Sequence, residues 1–292
     1  LARKYRPTVL GDLIGQETLI RTLRNAFDSG RLAHAFLLTG VRGIGKTTTA
    51  RIIARALNCT GADDQTEAPV AEPCGVCANC LAIAADRHVD VLEMDAASRT
   101  GVDDIREIID SVRYAPSSGR FKVYIIDEVH MLSTNAFNAL LKTLEEPPAH
   151  VKFVFATTEV RKIPVTVLSR CQRFDLRRVD AERLSAHFAA IAEKESAAAE
   201  DGALALIARA ADGSVRDGLS LLDQAIGDAA GATITEVQVR DMLGLADRVR
   251  VFDLLQAVLG GKLAEALDLL AEQYRAGADP VIVLQDMLEL TH

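Results

Sequence analysis

The chain has 292 residues, 49% of them apolar and 25% charged, which suits one large domain with one or two smaller ones. No run of 18 apolar residues and no signal-peptide pattern occurs, which argues against a helical membrane span and predicts a soluble cytoplasmic protein. The net charge of −8 is uneven: residues 1–180 carry 24 basic and 22 acidic side chains, and residues 181–292 carry 9 and 19, so the front can meet anions while the back reads as a solvated acidic surface.

In chain order, the apolar run Ala35–Leu38 predicts a first strand. Gly40-Val41-Arg42-Gly43-Ile44-Gly45-Lys46-Thr47 follows it and fits G-x-x-x-x-G-K-[ST] at every position. Its glycines let backbone N–H groups wrap phosphates, and the next helix adds a favourable N-terminal field. Lys46 would neutralise the β- and γ-phosphates, and the Thr47 hydroxyl would ligate magnesium. Ala50, Ile53, Ala54 and Leu57 then make one helical face.

A loose polar stretch, 60–73, leads into Cys74, Cys77 and Cys80, which with Cys59 give C-x14-C-x2-C-x2-C. Four thiolates complete a tetrahedral zinc shell and leave no open position for catalysis. Free thiols and an iron–sulfur cluster also fit the residue types, although the ferredoxin continuation C-x3-C-P is missing. Val89–Met94 predicts the second strand, and Asp103 to Val112 a helix with Ile105, Ile108, Ile109 and Val112 on one face. Val123–Ile126 is a strand that delivers Asp127 and Glu128 at its C-terminal end, the ligand edge of a parallel sheet. Asp127 would hold magnesium through its water shell, and Glu128 would orient and deprotonate an attacking water. Val151–Ala156 and Phe174–Leu176 supply two more strands, and the alternation with helices predicts a parallel α/β sheet.

From about residue 180, Ala-rich helical patterns take over. The stripes Leu184/Phe188/Ile191, Val215/Leu219/Leu222/Ile226 and Leu263/Leu267/Leu270/Tyr274 read as core faces. Arg170, in Ser169-Arg170-Cys171, and Arg216, in Gly213-Ser214-Val215-Arg216-Asp217, read from spacing alone as surface charges. The first residue is not Met and the last segment reads as an interrupted helix, so a piece of a longer protein is expected.

On these residues the chain resembles the gamma/tau family of bacterial DNA polymerase III subunits, the AAA+ ATPases of the sliding-clamp loader. The resemblance spans nearly the whole chain. It is carried by Arg3 to Pro7, Ile14-Gly15-Gln16, His34 to Thr48, Pro73 to Cys80, Asp95 to Thr100 and Tyr124 to Met131. Leu141 to Pro148, Ala156-Thr157-Thr158, Ser169-Arg170-Cys171 and Gly213 to Gln224 add to it. The zinc module set between the first helix and the second strand is the most specific of these.

The resemblance implies an AAA+ core over 1–179 with a five-stranded parallel sheet and a zinc module at 59–80. It further implies a helical lid over 180–243 and the start of an oligomerising collar over 244–292. ATP with magnesium would lie between core and lid. Tyr5, Arg6, Pro7, Ile14 and Gly15 would meet the base and ribose. Gly40, Arg42, Gly43, Ile44, Gly45, Lys46, Thr47 and Thr48 would meet the phosphates, with Thr47 and Asp127 on magnesium. Thr158, with Thr157 as the fallback, matches sensor 1, Arg216 matches sensor 2, and Arg170 matches the arginine finger that completes a neighbour's site. Ser98, Arg99 and Thr100 precede a helix that would point at DNA.

The implied partners are delta, delta-prime and further gamma/tau copies, the sliding clamp, and the backbone of primer–template DNA. Polymerase and helicase would be reached through a C-terminal region, with no membrane contact. The implied setting is the bacterial cytoplasm, at the nucleoid's replication fork. Two other readings stand beside it: an ATP-dependent assembly scaffold, which would not need Glu128, and a Holliday-junction motor, which would leave the cysteine module unexplained.

Overall fold

The computed structural model describes residues 1–98, 102–244, 248–275 and 277–291. Its chain divides into two compact units, Ala2–Arg183 with Gly213–Asp217, and Leu184–Asp212 with Gly218–His292 and Leu1.

The first unit is built on one parallel sheet of β1 (Ala35–Thr39), β2 (Val91–Asp95), β3 (Lys122–Asp127), β4 (Val151–Thr157) and β5 (Gln172–Asp175), ordered β2-β3-β4-β1-β5. Around it lie α1 (Glu17–Asp28), α2 (Lys46–Asn58), α3 (Ala78–Ala84), α4 (Val102–Val112), α5 (Thr134–Glu145) and the short α6 (Val165–Leu168). Side chains alternate across the strands with a period of two. Phe36, Leu38, Val123, Ile125, Val154 and Ala156 pack on the face that holds Leu19, Leu23 and Phe27 of α1 and Ile52, Ile53 and Leu57 of α2. Ala35, Leu37, Tyr124, Ile126, Phe153 and Phe155 pack on the other, with Ile105 and Val112 of α4 and Phe137, Leu140 and Leu144 of α5. Burial on both faces is why the central strands read as unbroken apolar runs.

The edge strands are where sequence bounds slip. β2 starts at Val91, because Val89 is exposed, and β5 takes in Gln172 and Arg173 while leaving Leu176 outside. Each edge strand has a backbone partner on one side only, so its hydrogen-bonding outruns or falls short of its apolar residues.

In register, Thr39 sits beside Thr157 and Asp175, and Asp95 beside Asp127. All five strands therefore end in a polar residue at one edge of the sheet. This C-terminal edge is where an open α/β sheet binds its ligands.

After β5 come α7 (Ala181–Lys194), α8 (Asp201–Ala210), α9 (Val215–Ala229), α10 (Glu236–Met242), α11 (Arg248–Leu259), α12 (Leu263–Arg275) and α13 (Pro280–Leu290). Leu184, Phe188 and Ile191 of α7 are buried, as are Leu219 and Leu222 of α9. Gly218 lets α9 come close to α7, since a Cβ there would collide with the Phe188 ring. The α12 stripe corrects the sequence reading. Leu263, Leu267 and Tyr274 are 75%, 61% and 66% exposed, while Ala266 and Gln273 are buried and Leu269 and Leu270 pack beside Val251, Leu254 and Val283. The helix has two apolar faces, and periodicity does not reveal which of them this chain covers. Among the described residues, no helix is long and apolar enough to cross a membrane.

Candidate functional site

The loop between β1 and α2 turns through three glycines of positive φ: 140° at Gly40, 78° at Gly43 and 102° at Gly45. At Gly40 a Cβ would meet the Ile44 side chain and lie 2.8 Å from the Leu176 carbonyl, and at Gly43 it would collide with Ser214 Oγ. The loop is thus closely packed as well as left-handed, and glycine is the residue that allows both. Buried Ile44 anchors it from below. Lys46, also buried, donates from Nζ to the Gly40 and Val41 carbonyls at 3.0 and 2.9 Å. Burial lowers the Lys46 pKa, and the Glu128 and Asp127 carboxylates work against that shift.

At the end of β3, Asp127 Oδ2 accepts a hydrogen bond from Thr47 Oγ1 at 2.5 Å. The hydroxyl of the phosphate loop and the strand-end carboxylate, 80 residues apart in sequence, are thereby brought together. Asp127 Oδ1 accepts from the Glu128 N–H at 2.9 Å. Glu128 has left-handed backbone geometry, φ 45° and ψ 44°, and its Oε2 accepts from the Thr158 N–H at 3.1 Å and Thr158 Oγ1 at 3.0 Å. Non-glycine residues in that region are strained and gather at functional sites. Thr157 is fully buried, and its hydroxyl lies 3.0 Å from His130 Nδ1, so of the two threonines it is Thr158 that reaches Glu128.

These groups border a cavity of about 940 Å³. Arg42, Gly43, Gly45, Lys46, Thr47, Thr48, Asp127, Glu128 and Arg216 line it, together with Arg6 and Pro7. The Arg216 backbone N–H donates to the Gly43 carbonyl at 3.2 Å, and Ser214 Oγ caps the start of α9 by accepting from the Asp217 N–H. Tyr5, Ile14, Gly15, Gly40, Ile44 and Thr158 do not line the cavity wall. Gly15 lies against Val179, and the Gln16 amide exchanges two hydrogen bonds with the Arg177 backbone, at 2.8 and 3.0 Å. This pins the amino-terminal segment to the chain that follows β5.

Sequence reasoning missed Arg3, Lys4, Arg51, Arg55 and Asp95, all of which line the cavity. Thr48, Arg51, Ile52 and Arg55 recur at three- and four-residue spacing, so they share one face of α2, and that periodicity could have found the arginines. Asp95 ends β2 as Asp127 ends β3, and the same strand-end argument applies to it. Arg51 is held by Glu93 at 2.7 and 2.8 Å and by Asp86 at 3.3 Å. Burial and the neighbouring guanidiniums of Arg51, Arg216 and Arg3 lower the Arg6 pKa, against the pull of Glu93. Cations crowded around one cavity favour a polyanionic ligand there.

Arg170 lies elsewhere in the unit, at the end of α6. It bonds the Glu145 carboxylate at 2.6 Å, the Thr166 carbonyl at 2.5 Å and Ser169 Oγ at 3.2 Å. Ser98 follows β2, while Arg99 and Thr100 lie outside the described residues.

The sulfur atoms of Cys59, Cys74, Cys77 and Cys80 all lie within 4.8 Å of one another. Tetrahedral zinc at about 2.3 Å from each sulfur needs separations of about 3.8 Å, so a small contraction suffices. Backbone N–H groups of Cys74, Cys77 and Cys80 donate to the sulfurs of Cys59, Cys74 and Cys77 at 3.2, 3.3 and 3.4 Å. Burial pushes the Cys59 and Cys80 thiols up. It acts on Cys77 too, but there the Cys80 N–H and the Thr60 hydroxyl and N–H outweigh it and bring the thiol down to about 6. A divalent cation is the partner that lets four crowded thiols all ionise, so the donor set fits zinc. The long 60–73 loop does not keep Cys59 from the other three.

Three family models match: "DNA polymerase III, delta subunit" over residues 15–180, "DNA polymerase III clamp loader subunit, ATPase lid domain" over 183–231, and "DNA polymerase III subunits gamma and tau domain III" over 234–292. The chain is 49% identical to DNA polymerase III subunit tau of Salmonella typhimurium, over 100% of its own length and 44% of that protein. It is 46% identical to the Bacillus subtilis tau subunit, over 99% of its length and 50% of that protein. With DNA polymerase III subunit gamma of Buchnera aphidicola subsp. Acyrthosiphon pisum it shares 44% identity, over 100% of the chain and 79% of the relative. The chain therefore spans about half the length of the tau subunits it matches. Among solved structures, the Thermotoga maritima RuvB Holliday junction branch migration motor superposes with a TM-score of 0.59 at 20% identity, covering 90% of this chain and 85% of that one. That likeness speaks to the fold alone, whereas the sequence matches speak to descent. On those matches, the chain belongs to the gamma/tau family of DNA polymerase III subunits.

Proposed function

We propose that the chain is an ATP-hydrolysing subunit of the DNA polymerase III clamp loader, using ATP to place a sliding clamp on primer–template DNA. The observation that carries the catalytic part is the Thr47–Asp127 contact, 2.5 Å long, beside Lys46 and Glu128 on one cavity. A hydroxyl and a carboxylate in contact are the pair that holds magnesium in phosphate-loop enzymes. A bound magnesium would neutralise charge on the β- and γ-phosphates. Lys46 and the loop N–H groups bind and orient the phosphates, and Arg216 meets the γ-phosphate of the same chain's nucleotide. Glu128, backed by Thr158, accepts the proton of the attacking water. Arg6 and Pro7, together with Tyr5, Ile14 and Gly15, serve the base and ribose. Arg170, held by Glu145 outside its own cavity, serves the neighbouring subunit's site.

In this reading 1–179 is the AAA+ core, 180–243 the lid, and 244–292 the beginning of the collar. Leu263, Leu267 and Tyr274, exposed on α12, fit a surface that meets other subunits. Cys59, Cys74, Cys77 and Cys80 hold a structural zinc. Arg99 and the helix after it meet DNA phosphates, and delta, delta-prime and the clamp are the protein partners. The test is ATP turnover by a loader reconstituted with the full-length chain, with and without clamp and primed DNA. Turnover stimulated by both, and lost together with ATP binding in Lys46→Ala, is the expected result. Turnover unaffected by Lys46→Ala would refute it.

A further inference from the structure

Glu128 is followed by the short turn Val129–Met131, which turns the chain back toward the end of β4. The His130 side chain in this turn is only 6% exposed. Its Nδ1 lies 3.0 Å from Thr157 Oγ1 and 3.4 Å from Glu128 Oε2, and its Nε2 lies 3.4 Å from Glu159 Oε1. The ring is thus wedged between the carboxylate assigned to water activation and the segment 157–159 at the end of the neighbouring strand. The Glu159 N–H donates to Thr157 Oγ1 at 3.0 Å, and that hydroxyl oxygen keeps a second lone pair to accept from a protonated Nδ1. A proton on Nδ1 faces both Thr157 Oγ1 and Glu128 Oε2, and Lys162 holds Glu159 from the other side at 2.9 Å.

We propose that His130 is a positioning residue for Glu128: it fixes the orientation of that carboxylate and ties it to the end of β4. The inference rests on the hydrolytic reading above. A buried histidine serving the core alone would be satisfied by Thr157 and Glu159. Here the same nitrogen that meets Thr157 also borders Glu128 Oε2, the oxygen on which both Thr158 donors converge. Thr158 and His130 together therefore hold one carboxylate oxygen from two directions, and the plane of the group is set by them. The base that takes a proton from water must be placed to within a fraction of an ångström, and displacement of about 1 Å costs about 10²-fold in rate. His130 borders Glu128 but does not line the nucleotide cavity, so its effect should fall on turnover and spare nucleotide binding.

The test uses three variants in the reconstituted loader with full-length chains. His130→Ala removes both ring contacts. His130→Asn keeps a polar atom near the Nδ1 position, facing Thr157 and Glu128. His130→Gln keeps one near Nε2, facing Glu159. We expect His130→Ala to lower kcat about 10- to 100-fold with KM for ATP within about twofold. His130→Asn should recover most of the loss and His130→Gln little of it. Should His130→Ala not fold, the contrast between Asn and Gln carries the test unaided. A His130→Ala loader within twofold of wild type in kcat overturns the inference, as does a change confined to KM or an Asn variant no better than Gln. If the wild-type loader turns over ATP and any of these is seen, His130 alone is misassigned. If the wild-type loader turns over no ATP, the hydrolytic reading falls with it.

Discussion

The C-terminal edge of the sheet and the helix α12 both stood out in the sequence, one by motif and one by an apolar stripe, yet they settle their side chains differently. At the sheet edge, each group singled out by motif finds a partner within its own unit: Thr47 on Asp127, Glu128 on Thr158, Lys46 on the loop carbonyls. On α12, three of the four residues of an apolar stripe face outward, with Leu267 61% exposed. A motif encodes chemistry that one chain can complete, whereas an apolar face encodes only that something must cover it. Arg170 sits between these cases, bonded to Glu145 but proposed to act on another subunit.

The sharpest way to break the comparison is therefore to ask which residues act outside their own chain. An arginine finger is worth about 10³–10⁵ in rate, so Arg170→Ala should reduce turnover by that order in an assembled loader. Mixing it with Lys46→Ala chains should leave hydrolysis only at interfaces where an intact finger faces an intact phosphate loop. A defect that is equally large in isolated monomers would contradict the assignment.

The zinc module tests the self-contained side of the comparison. Purified full-length protein should hold one zinc per chain. Its removal should speed hydrogen exchange at the Cys74, Cys77 and Cys80 amides while β1 and β4 stay protected, because the metal closes this module and not the sheet. Zinc-free protein prepared without chelator, with those amides still protected, would rule the site out.

Side-chain truncation separates the two regions most directly. Phe155→Ala, at a 1% exposed position of β4, should cost about 3–5 kcal/mol of stability by thermal or urea unfolding. Leu267→Ser should change unfolding by less than about 0.5 kcal/mol and instead weaken self-association in sedimentation. A large unfolding cost for Leu267→Ser would restore α12's stripe to the chain's own core.

Much of this was legible in the residues because the relevant signals are local. A phosphate loop is eight consecutive positions, and a strand that ends in two acids announces both its burial and its chemistry. The five strands were legible for the same reason, except at the edges, where one-sided pairing loosens the link between apolar residues and strand bounds. The missed residues depend on register or direction. Asp95 matters because β2 lies beside β3, which no spacing reveals. Arg51 and Arg55 matter because their face of α2 is the one turned to the cavity. His130 follows the acids immediately, but only the reversal of chain at a left-handed Glu128 brings its ring to Thr157 and Glu159.

The hydrolytic reading turns on water activation by Glu128, and Glu128→Gln isolates that step. The amide keeps the size of the side chain and its bonds from Thr158, but it cannot take a proton. ATP affinity measured by nucleotide titration should stay within about threefold of wild type, while steady-state turnover in the reconstituted loader falls about 10²–10⁴-fold. Turnover retained within about threefold of wild type would contradict the account.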